Sequence, residues 1–252
     1  MLREPMQRTS VLVRHNAMLL AREPGPLATR MILPLGFLLL LHPLYEQAQP
    51  GNQGVTQAVI AALVTFSLMA MSIAGTAILT ERIWHTWERI RATATHPAEQ
   101  LAGKAVPVIG ALLLQQSIVL IFGMAALGLA VAGLPLLVPV VVAWAVTITS
   151  MGAALGLIVR SLSALSACYD IGGLILSSLG GAMVPLAAMP LWIRHLAPAS
   201  PGYWAVSALE AAVRGDASRA LGACAVMMAF AAAACLLAAI RIRGAWGRSF
   251  RL

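Results

Sequence analysis

Residues 81–104 read "ERIWHTWERIRATATHPAEQLAGK", and they lie between two long runs of Ala, Val, Leu and Ile. From Glu81 onward, Ile83, Trp84, Trp87 and Ile90 recur at helical spacing, while Glu81, Arg82, His85, Glu88, Arg89 and Arg91 fill much of the remaining surface. Thr93, Thr95 and Pro97 then break the helix, and Glu99 falls in the first turn of a new one. A connector between two helices needs only a handful of residues. This one holds charges and aromatics in a fixed helical arrangement, as either a docking element for a partner or an anchor in a lipid interface would.

The flanks of that segment set the class. The chain has 252 residues, 60% hydrophobic and only 10% charged, with a mean hydropathy of +0.85, whereas a soluble domain carries about 25% charged residues. A hydrocarbon core of ~30 Å takes roughly 20 apolar residues per helical span. On that measure the sequence predicts one all-α transmembrane domain over 1–252 with six spans, at 27–46, 54–79, 105–132, 135–159, 166–188 and 217–240. Between and beyond them lie an amino-terminal segment (1–26), the polar segment (80–104), a loop with short helices (189–216) and a basic tail (241–252). Barrel strands do not fit, since the runs are Leu- and Ala-rich, far longer than ~10 residues and without period-two alternation.

The amino-terminal segment lacks the apolar core and small-residue cleavage site of a signal peptide. Val11, Leu12, Met18 and Leu19 give an apolar face ringed by Arg3, Arg8, Arg14 and Arg22, which reads as a helix lying along the membrane or as a frayed basic tail. With six spans both ends fall on one side. That side collects all of the 17 Lys and Arg except Arg194, Arg214 and Arg219, so the positive-inside rule places both termini and residues 81–104 in the cytoplasm, at the cell membrane. The net charge of +8 is then a signal for topology and membrane lipid, and nucleic acid need not be invoked.

Few side chains carry chemistry. Cys168, Cys224 and Cys235 all lie in apolar runs, and the five histidines are scattered, so no disulfide framework or metal spacing is visible. Ionisable groups deep in spans mark ion pathways, and Asp170 is the clear instance, placed about a turn inside the expected fifth span, where a helix amino terminus makes a carboxylate tolerable. Gln115 and Gln116 in the third span either line a polar path or bridge helices. Gly152 and Gly156 stand one turn apart and Gly173 and Gly180 nearly on one face, either for packing inside the bundle or for a subunit interface. Beyond the fifth span, Ser200 as cap, Pro201 at the first helical position and Gly215 as terminator predict a helix over about 201–213, with Tyr203 and Trp204 at headgroup depth. At ~1.5 Å per residue it is too short to span, so it lies in the interface or dips into it.

The 81–104 stretch resembles the segment between spans two and three of ABC-2 type exporter permeases, whose pattern is roughly E-R-E-x-G-T-x-E-x-L-x-A-T-P with a later Gly-Lys. Glu81, Arg82, Thr86, Glu88, Arg89, Ala92, Thr93, Gly103 and Lys104 match it; His85 replaces a glycine, and the turn is stretched to "TATHP". The run from Gly172 to Gly215, with its Gly-rich helix end, Pro-Leu, Met-Pro and Pro-x-Tyr, is similar to the same family's fifth span and outer helices. The resemblance implies the membrane half of an ATP-driven exporter, paired as a homodimer or with a sister permease, each half engaging a separate ATPase subunit that holds ATP and Mg. It further implies that Glu81, Arg82, Trp84, Trp87, Glu88 and Arg89 couple the chain to that subunit, and it leans toward drug export of the daunorubicin or fluoroquinolone type. The chain has no P-loop of its own, because Gly103-Lys104 is followed by Ala105 and preceded by no glycine at the required spacing. It is therefore expected to be a transport subunit and no enzyme. An ion-gradient-driven transporter, a permease for lipid, polysaccharide or haem, and a non-transporting anchor remain open.

Overall fold

The computed structural model describes residues 3–22, 24–49, 51–84 and 97–246. Among them there is no strand, and six helices are long and apolar enough to cross a membrane. The elements run α1 (Arg3–Arg22), α2 (Pro24–Ala48), α3 (Asn52–Met69), α4 (Met71–Ile83), α5 (Pro97–Ala126), α6 (Leu134–Ile158), α7 (Leu162–Leu179), α8 (Leu191–Leu196), α9 (Pro201–Arg214) and α10 (Ala217–Trp246). The spans are α2, α3 with α4 as one broken helix, α5, α6, α7 and α10.

Span two is the core of the molecule. Its most apolar window is 78% buried, against 11% for α2 and 22% for α7, because α2, α5, α6, α7 and α9 all pack around α3 and α4. Its first half, α3, buries Val59, Ala61, Leu63, Val64 and Leu68 almost completely. Helix α1, the end of α4 and the start of α5 share one end of the bundle, the basic end.

Two spans differ from their expected bounds, each for a local reason. Helix α5 stops at Ala126 and not at 132, because Gly128 turns to φ 71°, a backbone that suits glycine and ends helices. The next residues are tied down by Asn52, whose amide exchanges bonds with both backbone groups of Ala130 at 2.9 and 3.2 Å. Helix α7 begins at Leu162 and not 166, since Ser161 caps it by accepting from the Ala164 N–H at 3.3 Å. It ends before the Gly180-Gly181 turn, where Gly181 has φ 82°.

The short helix after span five forms where its capping residues place it, over Pro201–Arg214, with Ser200 accepting from the Gly202 N–H and Gly215 left-handed at φ 78°. It does not lie flat on a surface. Pro201, Gly202, Ala205, Val206, Ala208, Leu209, Ala211, Ala212 and Val213 are buried against the bundle, so α9 is wedged into the end opposite the basic one. Tyr203 and Trp204 stack edge to face at its rim.

Three of the four paired glycines, Gly152, Gly156 and Gly180, serve close packing within the chain. A Cβ on Gly156 would come 2.5 Å from the Gly75 carbonyl, one on Gly152 would strike the Met71 carbonyl, and one on Gly180 would meet Gly202. Helices α6 and α4, and α7 and α9, thus touch backbone to backbone.

Candidate functional site

The charged residues that open the polar stretch tie three helices together at the basic end. Glu81, in the last turn of α4, meets Lys104 of α5, with Nζ 2.7 Å from Oε1. The same ammonium donates to the Ala77 carbonyl at 2.8 Å. Both side chains are largely buried, at 23% and 11% exposure, so the pair is much less screened than a surface ion pair. The pair fastens the last turn of α4 to the early part of α5.

Arg82 faces the other way. Its Nη1 donates to the carbonyls of Gly156 at 2.7 Å and Val159 at 3.0 Å, at the end of α6. Helix ends leave carbonyls without partners and carry partial negative charge, so a guanidinium there binds α4 to α6 without needing a carboxylate. Trp84 is 71% exposed. Trp87, Glu88 and Arg89 lie outside the described residues.

Helix α1 completes the site. Leu12 sits on Gly103, where an added Cβ would come 2.7 Å from the Leu12 Cβ, and Asn16 donates through Nδ2 to the Gly103 carbonyl at 3.2 Å. The basic amino-terminal helix is therefore folded onto the start of α5, one residue from Lys104. Its other face keeps Met6, Val11, Met18 and Leu19 exposed.

The expected polar path does not come together as one surface. Gln115 and Gln116 are buried, at 3% and 0% exposure, while Asp170 is exposed on α7. The earlier start of α7 also moves Asp170. It stands eight residues in from Leu162, more than two turns, in a helix of 18 residues, so a helix amino terminus no longer accounts for it.

Residues that sequence alone did not single out carry much of the architecture. Gly75 is the narrowest point, where a Cβ would fall on the Tyr169 hydroxyl and 2.8 Å from the Gly152 carbonyl. At the opposite end, Gln57 donates from one amide nitrogen to the carbonyls of Gly181 at 3.1 Å and Ala182 at 2.6 Å. Tyr45 donates to the Met183 carbonyl at 2.8 Å. The only signal for these in the sequence is a polar or small residue within an apolar run, which does not name its partner. Among the described residues no three His, Cys, Asp or Glu side chains come together to hold a metal.

Among the described residues, Glu81, Arg82, Gly103 and Lys104 join α4, α5, α6 and α1 at this end of the bundle. A family model described as ABC-2 type transporter matches residues 7–214, a region that includes this site. No curated protein matches the chain.

Proposed function

The chain belongs to the ABC-2 type transporter family, a multi-pass membrane permease by its six apolar helices, and from that premise we propose that it is the membrane subunit of an ATP-driven exporter. ATP and Mg are handled by a separate ATPase subunit that docks on residues 81–104 from the cytoplasm, with both termini on that side and the cell membrane as its location. The single observation that carries this reading is the pinned base of that segment, Glu81 to Lys104 and Arg82 to the end of α6. A loop serving only to connect would not need its two ends fastened to three helices.

In this reading Glu88 and Arg89 make the polar contacts to the ATPase and Trp84 and Trp87 pack in the interface. Two permease copies, or this chain and a sister, meet through the faces that the fold leaves uncovered. Those belong to α2 and α7, whose most apolar windows are 11% and 22% buried. The cargo is a drug-like or other amphipathic small molecule, consistent with the apolar exposed surface of α7 around Asp170, which includes Ile171, Leu174 and Ile175.

The test is mild-detergent purification of the tagged chain from cells expressing its native neighbours, with vanadate-sensitive ATPase activity as the readout. A stoichiometric P-loop subunit, lost or uncoupled in Glu88→Ala, supports the exporter; a chain purified without an ATPase removes it. A second reading, an ion-gradient-driven transporter, draws on the depth of Asp170 in α7. It predicts uptake or efflux that follows a proton gradient and disappears in Asp170→Asn.

A further inference from the structure

Span two is broken at Ala70. Helix α3 ends at Met69, Ala70 has ψ −8°, and α4 starts with an Ile73 N–H bonded three residues back to the Ala70 carbonyl at 3.1 Å. No proline or glycine lies between Gly54 and Gly75. The Ser72 hydroxyl enters the ladder there, donating to the Met69 carbonyl at 2.9 Å and accepting from Arg30 Nη2 at 2.8 Å, as a side chain does at helix breaks that lack those residues.

Among the described residues, four side chains of this core are buried with unpartnered polar atoms: the Ser67 hydroxyl, both amide atoms of Gln116, the Trp144 indole N–H and, against Gly75 farther along α4, the Tyr169 hydroxyl. Ser67, Gln116 and Trp144 are 0%, 0% and 1% exposed. Other polar side chains in the same core are bonded, as Thr65 to Ser177 at 2.5 Å and Thr147 to the Ala143 and Met227 carbonyls at 2.8 and 2.9 Å. Helix register brings Ser67, Gln116 and Trp144 to neighbouring levels of the bundle. Gly123 lies against Val59 and Lys104 against Ala77, so α5 runs antiparallel to span two with Gln116 level with Thr65 and Phe66, within a turn of Ser67. Gly152 lies against Met71, which sets Trp144 level with Leu63, about one helical turn from Ser67. Helices α3, α5 and α6 all pack on one another.

We infer that Ser67, Gln116 and Trp144 bind internal water at the junction of α3, α5 and α6, and that this water is the pivot of span two at Ala70. The chemistry selects the ligand. Trp144 and the Gln116 nitrogen donate, the Gln116 oxygen accepts, and the Ser67 hydroxyl does either, which matches the two to four partners of a buried water. No charged group takes part, so neither a cation nor an anion is held. Outward of the pivot, α3 is fastened by Gln57 and Thr65; on the other side, α4 is fastened by Arg82 and Lys104. The water lies between the two anchored halves and lets one tilt against the other without exposing a bare polar group.

Radiolytic hydroxyl-radical footprinting of the purified full-length chain in lipid nanodiscs tests this, because radicals formed from trapped water label the side chains beside it. The expected result is Trp144 labelled in the wild type although only 1% exposed, with that labelling falling several-fold in both Gln116→Leu and Ser67→Ala. Trp144 unlabelled in the wild type, or labelled equally in wild type and both variants, overturns the site. Thermal unfolding gives an independent reading: a hydrated site makes Gln116→Leu melt lower, whereas a dry one makes it melt higher by removing an orphaned amide. If Gln116→Leu does not fold, Ser67→Ala alone decides by the labelling of Trp144. None of these readouts needs an ATPase partner, so failure here is separate from failure of the exporter reading.

Discussion

Lys104 Nζ lies 2.7 Å from Glu81 Oε1 and 2.8 Å from the Ala77 carbonyl, so one ammonium closes both ends of the 81–104 segment onto span two. Replacing it by Met keeps the stem and removes the charge. The expected loss is roughly 1.5–3 kcal/mol, the range for a hydrogen bond to a charged group, read as a lower thermal midpoint of the purified chain. Lys104→Arg should keep most of the stability. The swap of Glu81→Lys with Lys104→Glu should recover only part, because a carboxylate at 104 faces the Ala77 carbonyl with no proton to give. Full recovery by the swap would show that only the ion pair matters.

Arg82 holds the last turn of α6 through the Gly156 and Val159 carbonyls. In Arg82→Ala those carbonyls lose their donor, and the Val159 N–H, bonded to the Leu155 carbonyl at 2.9 Å, lies in the turn that frays. Hydrogen exchange should speed up there by roughly tenfold, for about 1.4 kcal/mol of lost charged hydrogen bonding, while the middle of α10 stays unchanged. An unchanged rate at the end of α6 would mean that water replaces the guanidinium at no cost.

Gly75→Ala should be among the most damaging conservative changes in the chain. Its methyl group collides with the Tyr169 hydroxyl on one side and with the Gly152 carbonyl on the other. Overpacking a tight contact costs about 1–3 kcal/mol. Adding Tyr169→Phe should restore only part of the thermal midpoint, since the hydroxyl is removed but the backbone contact with α6 remains. Full rescue by Tyr169→Phe would place the entire strain on the α7 side.

Asp216 caps α10 outside the span. It accepts from the Arg219 N–H at 3.0 Å and from the Ser218 hydroxyl at 2.9 Å, and these bonds, led by the Arg219 N–H, hold its carboxyl below the usual carboxylate range. A depressed folded-state pKa means the cap is fully present above about pH 4, the ordinary Asp range, and is lost as pH falls below it. Exchange at the first turn of α10 should therefore rise in acid in the wild type. In Asp216→Asn that acid-dependent rise should be absent, because the amide does not titrate.

Local chemistry shows itself in the sequence where it acts within a few residues. Helix α9 begins and ends where Ser200, Pro201 and Gly215 place it, because caps satisfy backbone groups one to three residues away. The positions of Ser161 and Gly128 act in the same way, but inside apolar surroundings their turn signals are outweighed by hydropathy. That is why the start of α7, and with it the depth of Asp170, is misplaced by a reading of apolar runs alone.

By itself the sequence determined that this chain is an all-α protein with six apolar helices, because length and hydropathy along the chain suffice to exclude every other class. Only the tertiary structure decided that span two is the core, that Gly75 is the narrowest contact, that Arg82 and Gln57 end on carbonyls more than 70 residues away, and that Gln116 and Asp170 face different surroundings. The reason is physical. A residue's need for a partner is written in its own chemistry, but which partner meets that need depends on how helices pack, and packing joins groups that the chain keeps far apart.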